Sequence, residues 1–169
     1  MPEGEKRGRI GGGSTNPYYE DHKYPEPTVC PRCHLVYHNG RWQHEDAVDP
    51  AAMHPEASSH ENHCPACRRE IDRLPGGLVH LTGPYWKSHR EEIENIIRNQ
   101  EKSAAAHRPL QRIMWFDATD EEAVVATTNP HLAVRMGKAV ESACKGDLVV
   151  KHGQGDQLVR VYWQRTDSP

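Results

Sequence analysis

The sequence has no long apolar run. No stretch approaches the roughly 18 consecutive apolar residues that a membrane-crossing helix needs, and the N-terminal stretch has no apolar segment of the kind a secretory leader carries. The expectation is a cytoplasmic protein without a membrane. Phenylalanine occurs once, aromatic residues make up 7% of the 169 residues, and apolar residues 36% at a mean hydropathy of −0.87. So lean a composition does not fill one large core, and small bodies need help beyond apolar burial to stay folded. The patterns G-x-S-x-G, H-E-x-x-H and the phosphate-loop signature are missing, which removes the familiar esterase, zinc-protease and nucleotide-hydrolase readings. Neither catalysis nor a small-molecule substrate is expected.

Cysteine is scarce too, with five in the chain, and four of them fall into Cys30-Pro31-Arg32-Cys33 and Cys64-Pro65-Ala66-Cys67. Each knuckle puts two thiols on one tight turn. Two knuckles supply four soft donors, the tetrahedral set that structural zinc prefers and that magnesium or calcium, which want oxygen, do not. Cys30, Cys33, Cys64 and Cys67 are therefore the expected ligands of one structural Zn²⁺ in a zinc ribbon or treble clef, a filled shell with no open position for substrate. A redox CxxC expects a strand and a helix around it in a βαβ setting, and paired knuckles with one cysteine left over suit a reducing compartment. Six histidines (His34, His38, His44, His54, His60, His63) lie in or beside the insert, and any one, with His34 and His63 nearest, could replace a cysteine. His54-Pro55-Glu56 followed by the second knuckle has part of a zinc-deaminase signature, but His63 stands where that signature has proline, and Cys30 and Cys33 would then lack a role. Cys144 continues the i+4 row Leu132, Met136, Val140 and reads as a buried small hydrophobe.

The net charge is −3, from 21 Lys and Arg against 24 Asp and Glu. Only residues 68–112 are locally basic, with 9 positive and 6 negative side chains. The whole chain is not a general polyanion binder, so any nucleic-acid face has to be local.

Three parts are expected: a disordered tail over 1–29, broken by Gly11-Gly12-Gly13 and by prolines; a zinc-ribbon module over 30–77; and an α+β sandwich domain over 78–165. In the module, His38-Asn39-Gly40 between two short β-favouring runs predicts a hairpin, and Pro65 predicts a helix that Pro75-Gly76-Gly77 ends. Beyond it, Leu78 to Thr82 is a strand. Ser88 and Glu91 read as a capping box that opens a helix to about Ala106. Ile113 to Ala118 and Glu122 to Thr128 are strands, Asn129-Pro130 starts a helix that Gly146 stops, and Leu148 to Lys151 with Leu158 to Gln164 form a last hairpin. The order β-α-β-β-α-β-β predicts a two-layer, ferredoxin-like βαββαβ sandwich with an extra edge strand. A ββαββ domain, with 78–82 given to the zinc module, is the alternative.

The knuckles, then Gly77-Leu78-Val79-His80-Leu81, a helix with a basic start (Lys87, His89, Arg90), and a strand flowing into Asn129-Pro130-His131-Leu132-Ala133-Val134-Arg135-Met136-Gly137-Lys138 resemble the N-terminal part of the nonsense-mediated mRNA decay protein 3 family, adaptors of the large ribosomal subunit. Small bacterial zinc-ribbon proteins with the same order of elements are closer still. The similarity spans about 30–145, with two CxxC pairs, fewer than the adaptors have, and no aromatic run in Val124-Val125-Ala126-Thr127. The resemblance implies ribosome- or RNA-associated ancestry.

The leading expectation is a non-catalytic zinc-ribbon protein that binds structured RNA, with the ribosome as the partner that fits best. Arg68, Arg69 and Arg73, then Lys87 and Arg90, are the expected phosphate contacts, with Trp42, Tyr85 and Trp86 as stacking candidates. The alternative is a protein–protein adaptor or stress-response regulator, with the last hairpin (Tyr162, Trp163) and the N-terminal tail as its candidate surfaces. The sheet reads as lacking paired aromatics on its inner strands.

Overall fold

The computed structural model describes residues 24–53, 60–153 and 158–167. Two sheets form in it. The smaller comprises β1 (Thr28–Val29), β2 (Val36–His38), β3 (Arg41–Gln43) and β4 (His60–Glu61), in the order β3-β2-β1-β4. The β2–β3 turn is the predicted one, with Asn39 and Gly40 at φ of 54° and 77°. A two-residue turn with positive φ at both positions matches the natural twist of a hairpin. Tyr24 packs edge-on against Tyr37 and Trp42 beside it, and those two tilt against each other, at centroid distances of 5.3–5.8 Å. Residues 24–29, which the sequence places in the tail, therefore belong to this module through β1 and Tyr24. The rest of the expected tail, 1–23, lies outside the described residues. Helix α1 (Pro65–Asp72) follows the second knuckle, starts with proline in its first turn and ends at Arg73 with a φ of 55°.

The larger sheet contains β5 (Gly77–Thr82), β6 (Ile113–Ala118), β7 (Glu122–Thr127), β8 (Asp147–His152) and β9 (Val159–Gln164). Its helices are α2 (Pro84–Ser88), α3 (Arg90–His107) and α4 (Pro130–Cys144). The strand order is β6-β7-β5-β9-β8. The first three strands have the expected split-βαβ arrangement, with β7 antiparallel to both β5 and β6. The last hairpin departs from expectation. In a ferredoxin-like sheet the fourth strand would pair with the first. Here β9, the fifth, pairs parallel with β5 and pushes β8 to the edge. The added strand is internal.

The predicted capping box does not form either. Ser88 closes α2, its hydroxyl facing the carbonyls of Pro84 and Tyr85, and α3 begins after His89 with no side-chain cap. Pro84 at the first helical position lets the chain coil one turn before the expected start.

One face of the large sheet is the core. Val79, Leu81, Val125, Val161 and Trp163 meet Ile93, Ile97, Leu132, Met136 and Val140 from the helices, all essentially buried. Trp86 is buried here and donates to the Thr119 carbonyl at 3.1 Å. Cys144 lies at 1% exposure on the row where the sequence places it, with burial raising its thiol pKa. The other face has three cross-strand rows fixed by register. Trp115, Ala126, Leu78, Arg160 and Lys151 form the first, and Asp117, Val124, His80, Tyr162 and Val149 the second. Glu122, Thr82, Gln164 and Asp147 form the third.

Gly137 lets α4 lie directly on β9. A Cβ there would run into Val161 Cγ1 and come within 2.9 Å of Leu148 Cδ1. Alanine in a helix interior ordinarily gains about 1 kcal/mol over glycine, whereas overpacking a filled core costs about 1–3 kcal/mol. Gly137→Ala should therefore lower the urea midpoint, and an unchanged or raised midpoint would contradict this packing.

Candidate metal centre

The chain brings the four knuckle cysteines together, with their sulfurs all within 4.8 Å of one another. Cys30, Cys64 and Cys67 are fully buried and Cys33 partly so. Local backbone geometry aims them. In the first knuckle the Cys30 N–H donates to the Leu35 carbonyl at 2.8 Å, and the His34 N–H to the Cys30 carbonyl at 2.9 Å. In the second, Cys64 is the N-cap of α1, its sulfur accepting from the Cys67 N–H at 3.4 Å. Among the described residues, no histidine or carboxylate joins the cluster. His44 instead faces the Ala105 carbonyl at 2.6 Å, linking the insert to α3. The His54-Pro55-Glu56 triplet lies outside the described residues.

A residue that the sequence does not single out completes the site. The Arg112 guanidinium donates to Cys33 Sγ at 3.1 Å, Cys67 Sγ at 3.4 Å and Cys64 Sγ at 3.6 Å. It reaches in from the loop between α3 and β6, on the large-sheet side. Thr128 holds that loop: its N–H donates to the Arg112 carbonyl at 2.9 Å, its hydroxyl accepts from the Arg112 N–H at 2.9 Å and donates to the Leu110 carbonyl at 2.6 Å. The guanidinium Nε donates to the Pro109 carbonyl at 3.0 Å, and Glu70 flanks both Arg112 and Arg32. A lone arginine in Pro109-Leu110-Gln111-Arg112 has no sequence signature of a metal-site partner. Only the fold identifies it.

The electrostatics show why a cation belongs here. Burial pushes the Cys64 and Cys67 thiols up, and Arg112 offsets only part of the rise. Burial opposes ionisation of Cys30 as well, but N–H donors from Cys64, Cys33 and Arg32 outweigh it and bring this thiol down to about 6. The Arg112 pKa rises despite burial because the sulfurs stabilise its charge. Four thiolates this close repel one another, and one guanidinium leaves most of that charge uncompensated. A soft divalent cation bound by all four sulfurs would resolve it, and the donor set is compatible with zinc. Arg112 is then an outer-sphere partner, its N–H groups orienting the sulfurs and spreading their charge.

The expected phosphate contacts do not form one patch. Arg69 donates to the Leu74 carbonyl at 2.9 Å, closing the end of α1, and Arg73 lies over the Trp115 ring at 4.8 Å. Arg68 is half-buried. Lys87 pairs with Glu121 at 2.9 Å and Arg90 with Asp120 at 2.8 Å, at the turn beyond the other end of β6. Trp42, Tyr85 and Trp86 are all buried, at 7%, 7% and 0% exposure, and have no face for a base. The open sheet face supplies rings instead. His80 and Tyr162, adjacent on β5 and β9, stack at 4.7 Å and 11°, and Lys151 lies over Tyr162 at 5.4 Å. Burial lowers the His80 pKa, with Glu122 opposing the shift and Arg160 adding to it, which favours the neutral ring.

Among the described residues, no helix is long and apolar enough to cross a membrane. Comparison with protein-family models, with curated proteins and with solved structures returns no match.

Two outcomes follow from this geometry. Binding energy at a structural metal site is largely folding energy, so Cys64→Ser should lose the metal and unfold the small sheet while the large sheet persists. Metal analysis with hydrogen-exchange mapping reads both, and full metal retention would contradict the ligand set. Arg112→Gln should keep the metal but weaken its affinity by about 10–100-fold, the usual effect of losing an outer-sphere partner. Competition against a chromophoric chelator measures this, and equal affinity would reduce Arg112 to a packing role.

Proposed function

We propose that this chain is a non-catalytic, zinc-stapled protein that binds structured RNA through the open face of its large sheet, with ribosomal particles as the partner. The observation that carries the reading is the His80–Tyr162 pair. The two rings stack on each other across neighbouring central strands, with Lys151 over Tyr162, so the outer face of His80 is the one on which an unpaired base of any identity would extend the stack. The flanking row adds Arg160 and Lys151, with Arg73 stacked on Trp115 at its far end, as partners for the phosphates of a strand crossing the sheet. The acidic side chains of the third row, Glu122 and Asp147, with Asp117 at the β6 end of the second, repel that strand toward the first row. Zinc held by four thiolates has no open position, so its role here is to staple the small module, with Arg112 joining that module to the large sheet. The resemblance to ribosomal-subunit adaptors points the same way.

A second reading has its own support. Ile71 and Leu74 are 52% and 51% exposed at the end of α1, apolar side chains that a protein partner would cover.

Base stacking on an aromatic ring is worth about 1–3 kcal/mol. Tyr162→Ala should therefore weaken binding of an RNA stem-loop by about tenfold or more, with metal content and melting unchanged. Lys151→Gln should flatten the log–log salt dependence by about 0.7–0.9 if its charge meets one phosphate. Fluorescence anisotropy across a salt series reads both, and co-sedimentation with ribosomal particles at low but not high salt tests the partner. Wild-type binding by Tyr162→Ala, or no salt-sensitive RNA binding at all, would move the reading to the protein adaptor and to Ile71 and Leu74.

A further inference from the structure

A second basic feature lies away from the open sheet face. Between α4, the edge strand β8 and the loop after α3 runs an open cleft of about 700 Å³, lined by Arg108, Gln111, His131, Arg135, Lys138 and His152 with two valines. His131, Arg135 and Lys138 are spaced i, i+4 and i+7, which puts them on one face of α4. Three permanent cations and two imidazoles converge, and no carboxylate lines the cleft among the described residues.

The contrast with five cations elsewhere in the chain is the informative part. Arg32, Lys87, Arg90, Arg98 and Arg165 each lie against a carboxylate. Arg135 is held by a neutral acceptor instead, the side-chain oxygen of Gln111, which is itself only 9% exposed. The Arg135 Nε is buried with no hydrogen-bond partner. An amide orients a guanidinium without neutralising it, so the charge remains available to a ligand. A buried N–H without an acceptor is costly unless something that enters the cleft supplies one. At one end of the cleft His131 stands in the first turn of a 15-residue helix, where the helix dipole favours negative charge.

We propose that this cleft is a phosphate-binding site, with Arg108, Arg135 and Lys138 as its charged contacts and His131 and His152 as further donors. Arginine forks match the tetrahedral oxygens of a phosphate, and a neutral Gln111 sets the fork. The volume suits a phosphate together with the nucleoside or sugar that carries it. The proposal does not depend on the sheet face, which presents different residues on the opposite side of β5 and β9.

The test is calorimetric titration of the metal-loaded full chain with inorganic pyrophosphate, followed by competition with ATP and with a 20-nucleotide RNA. Saturable one-to-one pyrophosphate binding is expected, weakened about tenfold or more by Lys138→Gln and by Arg135→Gln. Lys138 is exposed on the helix, so its variant keeps the fold if Arg135→Gln does not. Lys87→Gln, outside the cleft, should bind like the parent. Displacement by ATP alone identifies a free nucleotide as the source of the phosphate, and displacement by the RNA identifies a polynucleotide. No pyrophosphate binding, equal binding by Lys138→Gln, or displacement by neither competitor would overturn the proposal. Tyr162→Ala should lose RNA stacking yet bind pyrophosphate normally, so the two sites can fail separately.

Discussion

The concentration of negative charge at four sulfurs is the constraint on which the rest of the structure depends. Thiols within 4.8 Å of one another, three of them buried, cannot all ionise without cations nearby. The fold supplies one in Arg112 and leaves room among the sulfurs for a metal of matching softness. The guanidinium does more than balance charge. It comes from the large-sheet side and reaches three cysteines that belong to both knuckles, so the small sheet is tied to the large one through its most charged point. The Thr128 hydroxyl and backbone, which pin the loop bearing Arg112 to the end of β7, extend that tie into the core.

The position of β9 decides the chemistry of the open sheet face. Inserted between β5 and β8, it sets Tyr162 against His80 and Arg160 against Leu78. Had β8 paired with β5 instead, these side chains would stand apart. The same insertion makes β8 an edge strand, and its His152 becomes one wall of the cleft beside α4. One pairing choice therefore shapes two surfaces.

The chain separates its cations by what surrounds them. Lys87, Arg90 and Arg98 are matched with carboxylates at hydrogen-bonding distance. Exposed pairs of this kind contribute little to stability, but they remove those residues from competition for an anion. Arg135, set by an amide, and Lys151, over a tyrosine ring, keep their charge. A net charge of −3 is thus compatible with local basic surfaces, because matching rather than the total decides where an anion can settle.

Local chemistry alone determined the two knuckles, the Asn39-Gly40 hairpin, the start of α4 at Asn129-Pro130 and the burial of Cys144. Each depends on neighbours within a few residues or on one helical period, and such signals are written in the chain. The four candidate ligands were legible for the same reason. Tertiary structure alone decided the partner of β9, since parallel pairing across more than seventy residues leaves no trace in strand propensity. It alone found Arg112, whose role comes from a fold that carries it 45 positions away from Cys67 to within 3.4 Å of its sulfur. It also buried Trp42, Tyr85 and Trp86, because the side of an element that faces the core is set by what packs against it. Composition marked 68–112 as basic, but the fold paired Lys87 and Arg90 with the acids of a turn thirty or more residues away and gathered Arg108 with Arg135 and Lys138 from a helix outside that segment. Spacing in sequence orders contacts within an element, and only packing orders them between elements.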